Sequence, residues 1–164
     1  MNDPVDDLVA ALAETLQRRG ERLTTAESCT GGLIAAACTA LAGSSAWFER
    51  GFVTYSNAAK VQMLGVDAAL IAAQGAVSAP VACAMAEGAL DHAEADWSVA
   101  VTGIAGPGGA APGKPVGTVW VALAQRGQVP RAERLQLVGD RAAIRAETVR
   151  WALQALLDAT GRTR

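Results

Sequence analysis

Histidine and tyrosine each occur once in this chain of 164 residues, as His92 and Tyr55, and lysine only twice, as Lys60 and Lys114. The lone histidine sits near a predicted helix end beside Asp91 and Glu94, where it is expected to be solvated, so a Ser-His-Asp arrangement lacks its base. Cys29, Cys38 and Cys83 are odd in number, without C-x-x-C spacing or a histidine cluster. That excludes a disulfide framework and a zinc site, and leaves three thiols expected to be buried. No apolar run approaches a membrane span, and the acidic, proline-punctuated start has neither the basic region nor the apolar core of a signal peptide. The chain is therefore expected in the cytoplasm, with no membrane partner. A formal net charge of -2 and the lack of any basic run argue against a nucleic-acid surface.

What the chain does have is a large apolar fraction, 51% of its residues, dominated by alanine. That is enough to build a core with closely approaching helices, and the length fits one domain over residues 1–164. Asp3-Pro4 reads as an N-cap and a proline at the first helical position, with Val5, Leu8, Val9, Leu12 and Leu16 at helical spacing up to Gly20. Strands are predicted at residues 23–26, 47–55 and 97–102, where β-branched and aromatic residues gather. Helices are predicted from about 31 to 41, from a Ser56-Asn57 cap through Leu64, and over 67–73 and 79–93. Residues 103–115 hold too much glycine and proline for a regular element. Residues 116–124 and 131–138 then form a hairpin around Arg126-Gly127-Gln128, and Asp140 caps a last helix. The sum is an α/β fold, a three-layer α/β/α sandwich around a mixed sheet of about five strands, with at least one antiparallel pair.

Three predicted strand ends run into irregular segments, the usual ligand position in open α/β sheets. They are Ser28 with Gly31-Gly32, Tyr55-Ser56-Asn57 leading to Lys60, and Thr102 with its glycine-rich loop. If the strands are parallel neighbours, the three meet on one sheet edge. Ser28 and Cys29 stand at a helix start, where free N–H groups and the helix dipole favour an oxyanion. Cys29 lacks a histidine to form a thiolate and ranks behind Ser28 as nucleophile. Arginine cannot give up its proton, so the lysines retained in an arginine-biased chain single out Lys60 as a base if burial lowers its pKa. Tyr55 can relay a proton or hold Lys60 in place. Glu27 either orients the base or is a partly buried carboxylate bonded to Thr24 or Thr30. The loop after Thr102 can cradle phosphate on its backbone N–H groups, with Lys114 as a further donor. Taken singly, each of these residues also fits a purely structural role.

Read together, Thr25-Ala26-Glu27-Ser28-Cys29-Thr30-Gly31-Gly32, Ser44-Ser45 with Phe48 and Gly51, Val53-Thr54-Tyr55-Ser56-Asn57 reaching Lys60, Gly75-Ala76-Val77-Ser78, Gly103-Ile104-Ala105-Gly106-Pro107 and Lys114-Pro115-Val116-Gly117-Thr118-Val119 resemble the CinA C-terminal domain family. The likeness runs from about Val5 to Leu157. It implies the three-layer fold, a dimer, and hydrolysis of the carboxamide of nicotinamide mononucleotide to nicotinate mononucleotide and ammonia in pyridine-nucleotide salvage. It also implies a serine nucleophile with a lysine partner, matching Ser28 and Lys60 with Tyr55 nearby, and no metal or organic cofactor. Thr30, Gly31 and Gly32 would supply oxyanion N–H groups. Substrate would be bound by Glu27, Cys29, Ser45, Asn57, Thr102, Gly103, Ile104, Ala105, Gly106, Lys114 and Arg141. The chain departs from the family in lacking the N-terminal domain of full-length members, so their metal-dependent pyrophosphatase activity is not expected. Ala110-Ala111 and Leu137-Val138 are smaller departures, bearing on loop shape and packing. The rival from another class is a nucleotide-binding or regulatory module that turns nothing over.

Overall fold

In a computed structural model that describes residues 3–162, the strands are β1 (Leu23–Glu27), β2 (Phe48–Val53), β3 (Trp97–Gly103), β4 (Thr118–Gln125) and β5 (Arg131–Gln136). The helices are α1 (Pro4–Arg19), α2 (Leu33–Ala40), α3 (Asn57–Leu64), α4 (Ala68–Gln74), α5 (Ala79–Asp91) and α6 (Arg141–Arg162). The chain ends included in the single-domain expectation, residues 1–2 and 163–164, lie outside the described residues. One mixed sheet runs in the order β2-β1-β3-β4-β5. β1 is parallel to both β2 and β3, while β3-β4 and β4-β5 are antiparallel.

Alternation along the strands divides the core in two. Val99 and Val101 of β3 and Val119 and Val121 of β4 point into a layer with Leu12 and Leu16 of α1, Ile34 of α2, and Ile144, Leu153 and Leu156 of α6. Ala26, Ala100, Ala122 and Ala124 face the other way, against Leu64 of α3, Ile71 of α4, and Val81, Met85, Ala86 and Ala89 of α5. The alanines bring α5 close to the sheet, and Gly88 brings it close to α3: a Cβ there would stand 2.1 Å from the Leu64 carbonyl oxygen. The expected three layers and mixed sheet are thus present.

Boundaries differ from the sequence reading where backbone geometry intervenes. Gly31 (φ 58) and Gly32 (φ 107) are both left-handed, so α2 starts only at Leu33. The second strand is trimmed to Phe48–Val53, because Trp47 donates its N–H to the Ser44 carbonyl in a 3₁₀ turn and Thr54-Tyr55 bend toward Lys60. β4 starts at Thr118, since Gly117 (φ 93) crosses so near Leu137 that a Cβ would lie 1.9 Å from its carbonyl oxygen. Helix α5 stops at Asp91, two residues early, and Arg126 donates to the carbonyl of Leu90 in its last turn and to those of Ala93 and Ala95 beyond it. Among the described residues no helix is long and apolar enough to cross a membrane.

Candidate active site

The parallel register pairs Glu27 with Val53 on one side and with Val101 on the other, so the C-terminal ends of β1, β2 and β3 lie together on one edge. Ser28 sits where β1 leaves the sheet. Its N–H donates to the Val101 carbonyl (3.0 Å) and its own carbonyl accepts from Gly31 N–H (3.1 Å). The two left-handed glycines then swing the chain into α2. Glu27 is fully buried and stabilises this turn from inside: its carboxylate accepts from the Thr30 hydroxyl (2.5 Å) and from the N–H groups of Ile34 (2.8 Å) and Ala35 (3.1 Å). A carboxylate from the preceding strand therefore does what an N-cap side chain does elsewhere, while the N-cap residue itself is Gly32.

Lys60 arrives from α3, which Ser56 caps by accepting from Ala59 N–H (3.0 Å). Only 1% of Lys60 is exposed. Its Nζ donates to the carbonyls of Thr54 and Tyr55 and lies against Ser28 Oγ, each at 3.0 Å. All three partners are neutral. Burial holds the amine below the ordinary lysine pKa. Burial likewise pushes the Cys29 thiol up to about 11, assisted by the Glu27 charge. Cys29 is thus disfavoured as a thiolate in the cleft wall, and the geometry instead brings the Ser28 hydroxyl into contact with the Lys60 amine.

A solvent-open cleft of about 240 Å³ is lined by Ser28, Cys29, Tyr55, Asn57, Lys60, Ala76, Val77, Thr102, Gly103, Ala105 and Arg141. A roomier hollow of about 360 Å³ at Trp97, Leu123 and Gln125 brings no nucleophile to a base. Thr102 donates its hydroxyl to the Ala76 carbonyl (2.9 Å), tying β3 to the segment before α5. Arg141, exposed at the mouth, donates to the Gly106 carbonyl (2.9 Å) and to the Tyr55 hydroxyl (3.3 Å). Among the described residues no cluster of three His, Cys, Asp or Glu side chains is placed to hold a metal.

Several expected site residues stand elsewhere or do something other than expected. Tyr55 is 62% exposed; its backbone carbonyl holds Lys60, while its phenol reaches out to Arg141 instead of relaying protons to the amine. Glu27 faces α2 and does not line the cleft. Ser45 lies in the 3₁₀ turn before β2, at the opposite end of the sheet from Ser28. Lys114 donates to the Gln74 carbonyl at the end of α4 (3.0 Å), and so fastens its loop there. Gly31 has its N–H spent on Ser28, whereas the N–H groups of Thr30 and Gly32 meet no acceptor among the described residues. Ile104 bonds to Thr118 and Gly117 and extends the β3-β4 pairing by a residue. Gly106 meets the site only through Arg141. Of the cysteines, Cys29 and Cys38 are buried and Cys83 is half-buried. His92 is exposed, its Nδ1 2.7 Å from the Gly88 carbonyl, as its flanking acids suggested.

Arg145 is the residue sequence reading missed. From the second turn of α6 it donates to the carbonyls of Cys29 (3.1 Å) and Thr30 (3.2 Å). A signal existed: Arg141 and Arg145 place two cations at a helix N-terminus with no acidic residue in its first turn, against the helix dipole.

The family model described as the CinA C-terminal domain matches residues 5–160. The nicotinamide-nucleotide amidohydrolase PncC of Escherichia coli (strain K12) is 53% identical over 145 residues, 88% of each chain. The protein of the same name from Pseudomonas putida is 52% identical over 155 residues, 94% of this chain and 96% of that one. The crystal structure of the competence/damage inducible protein CihA from Agrobacterium tumefaciens superposes with a TM-score of 0.94 at 44% identity, covering 99% of this chain and 98% of its own.

Proposed function

This chain belongs to the CinA C-terminal domain family, and on that premise we propose that it is an amidohydrolase converting nicotinamide mononucleotide and water to nicotinate mononucleotide and ammonia, in pyridine-nucleotide salvage. The observation that carries the reading is the buried contact of Lys60 Nζ with Ser28 Oγ, where the amine's partners are a hydroxyl and two carbonyls and no carboxylate bonds it among the described residues. A neutral amine has two N–H bonds and one lone pair. At rest Lys60 Nζ donates to Ser28 Oγ and to the Thr54 and Tyr55 carbonyls, and Ser28 Oγ reaches the Tyr55 carbonyl (3.4 Å). Once the amine is neutral, the two carbonyls take its N–H bonds and the lone pair is left for Ser28. The Ser28 hydroxyl then donates to Nζ.

On attack, the Ser28 proton passes to Lys60 as the Oγ–C bond forms at the carboxamide carbon, and backbone N–H groups of the Ser28 turn hold the oxyanion. Lys60 hands that proton to the departing amine, the C–N bond breaks, and ammonia leaves an acyl-enzyme. Water then attacks, again through Lys60, and the carboxylate product leaves with Ser28 restored. In this reading Arg141, the cation at the cleft mouth, would meet the phosphate, with Asn57 and Gly103 also in the cleft lining.

The test is ammonia release from nicotinamide mononucleotide with a metal chelator present. Wild-type protein should turn over, and Ser28→Ala should lose at least about 10³-fold in kcat while keeping its fold. No release from the wild type, with nucleotide still bound, would favour a non-catalytic binding module.

A further inference from the structure

We infer that Arg145 is a positioning residue for amide hydrolysis: it fixes the Cys29–Thr30 peptide so that the Thr30 N–H is presented to the oxyanion formed at Ser28. The inference rests on the amidohydrolase reading above. In a trans peptide the C=O and the following N–H point in opposite directions. The Cys29 carbonyl points at the Arg145 guanidinium, so the Thr30 N–H points away from it. The next peptide shows what lies on that far side. The Thr30 carbonyl also points at Arg145, and its opposed N–H, on Gly31, reaches the Ser28 carbonyl. The side away from Arg145 is therefore that of the Ser28 main-chain carbonyl, on the residue that carries the nucleophile. Among the described residues no acceptor takes the Thr30 N–H, although Thr30 is fully buried. A donor left open beside a nucleophile is available for charge that appears only during reaction.

The turn gives this orientation little intrinsic support. Gly31 and Gly32 follow it with positive φ, so the Thr30–Gly31 peptide, whose carbonyl Arg145 also holds, turns on a glycine φ that no side chain restricts. Glu27 holds the helix side, through Ile34, Ala35 and the Thr30 hydroxyl. Among the described residues Arg145 is the side chain that holds the Cys29 and Thr30 carbonyls, and a planar guanidinium suits two neighbouring acceptors as an ammonium does not. Its place near the N-terminus of α6, against the dipole, also fits a requirement other than helix stability.

Arg145 is absent from the cleft lining, so its loss should leave ground-state binding nearly intact. In Arg145→Ala, kcat for nicotinamide mononucleotide should fall about 10²-fold, the low end for losing one oxyanion donor, with KM changed by less than about 3-fold. The acid limb of the pH profile, set by Lys60, should keep its midpoint. Added guanidinium chloride, but not sodium chloride, should restore part of kcat. Labelling of Ser28 by a fluorophosphonate probe should slow in parallel. If Arg145→Ala does not fold, Arg145→Lys carries the test, with a loss of about 10-fold expected because one ammonium cannot grip both carbonyls. Unchanged kcat, or a raised KM at unchanged kcat, would overturn the inference, the latter making Arg145 a substrate contact. If the wild type releases no ammonia, the substrate reading fails, and the labelling rates still decide for or against Arg145.

Discussion

A buried lysine without a counter-charge is costly unless it sheds its proton, and that cost is the residue-scale signature of this site. Folded Lys60 has a lowered pKa, while in the unfolded chain it keeps its proton up to the ordinary value of 10.5. Between those two values unfolding takes up a proton, so raising the pH through that window must favour the folded state. Below the folded value both states are charged and the full penalty stands. We predict that in urea unfolding wild type gains stability relative to Lys60→Met as pH rises toward 10.5, by about 1.4 kcal/mol for each unit of depression. Parallel pH curves would show that the amine is not perturbed. Lys60 was legible in the sequence because lysine is so scarce there, and Ser28 because of its place before two glycines. The roles of Thr54 and Tyr55 were not, since their backbone carbonyls do the work and any residue type supplies a carbonyl. Tyr55 drew attention as the only tyrosine, yet its exposed ring bonds through its hydroxyl to Arg141 and not to Lys60.

At the scale of elements, the β1-to-α2 connection depends on one buried carboxylate. Glu27→Gln keeps the shape but retains a single acceptor oxygen and turns an N–H₂ group toward the backbone donors of α2. We expect a loss of about 2 kcal/mol in unfolding free energy, together with reduced turnover, as the turn holding Ser28 loosens. Stability within a few tenths of a kcal/mol of wild type would mean that the turn is held without Glu27, by Arg145 on the Cys29 and Thr30 carbonyls. Helices and strands were legible wherever periodicity and caps agreed, as in α1 with its Asp3 cap and Gly20 stop. Ends fixed by remote contacts were not: Arg126 beyond α5 and Leu137 beside Gly117 come from distant parts of the chain. Glu27 as a cap seven and eight residues away follows no local rule.

For the whole molecule, parallel pairing of β1 with β2 and β3 is what gathers Ser28, the Thr54-Tyr55 bend and Thr102 on one edge. The sequence anticipated that edge from strand ends alone, and it also placed Ser45 and Lys114 there. Topology sends Ser45 to the far end of its strand, and the helix-end carbonyl of Gln74 draws Lys114 away. The account turns on proton transfer between Ser28 and Lys60. Its most direct test is the kcat of Lys60→Arg for ammonia release from nicotinamide mononucleotide, followed across pH beside the wild type. Arginine keeps the charge and much of the reach but cannot accept the proton. The account predicts a variant nearly as inactive as Lys60→Ala, and a wild type whose rate falls at acid pH as the amine is protonated; substantial activity in Lys60→Arg would contradict it.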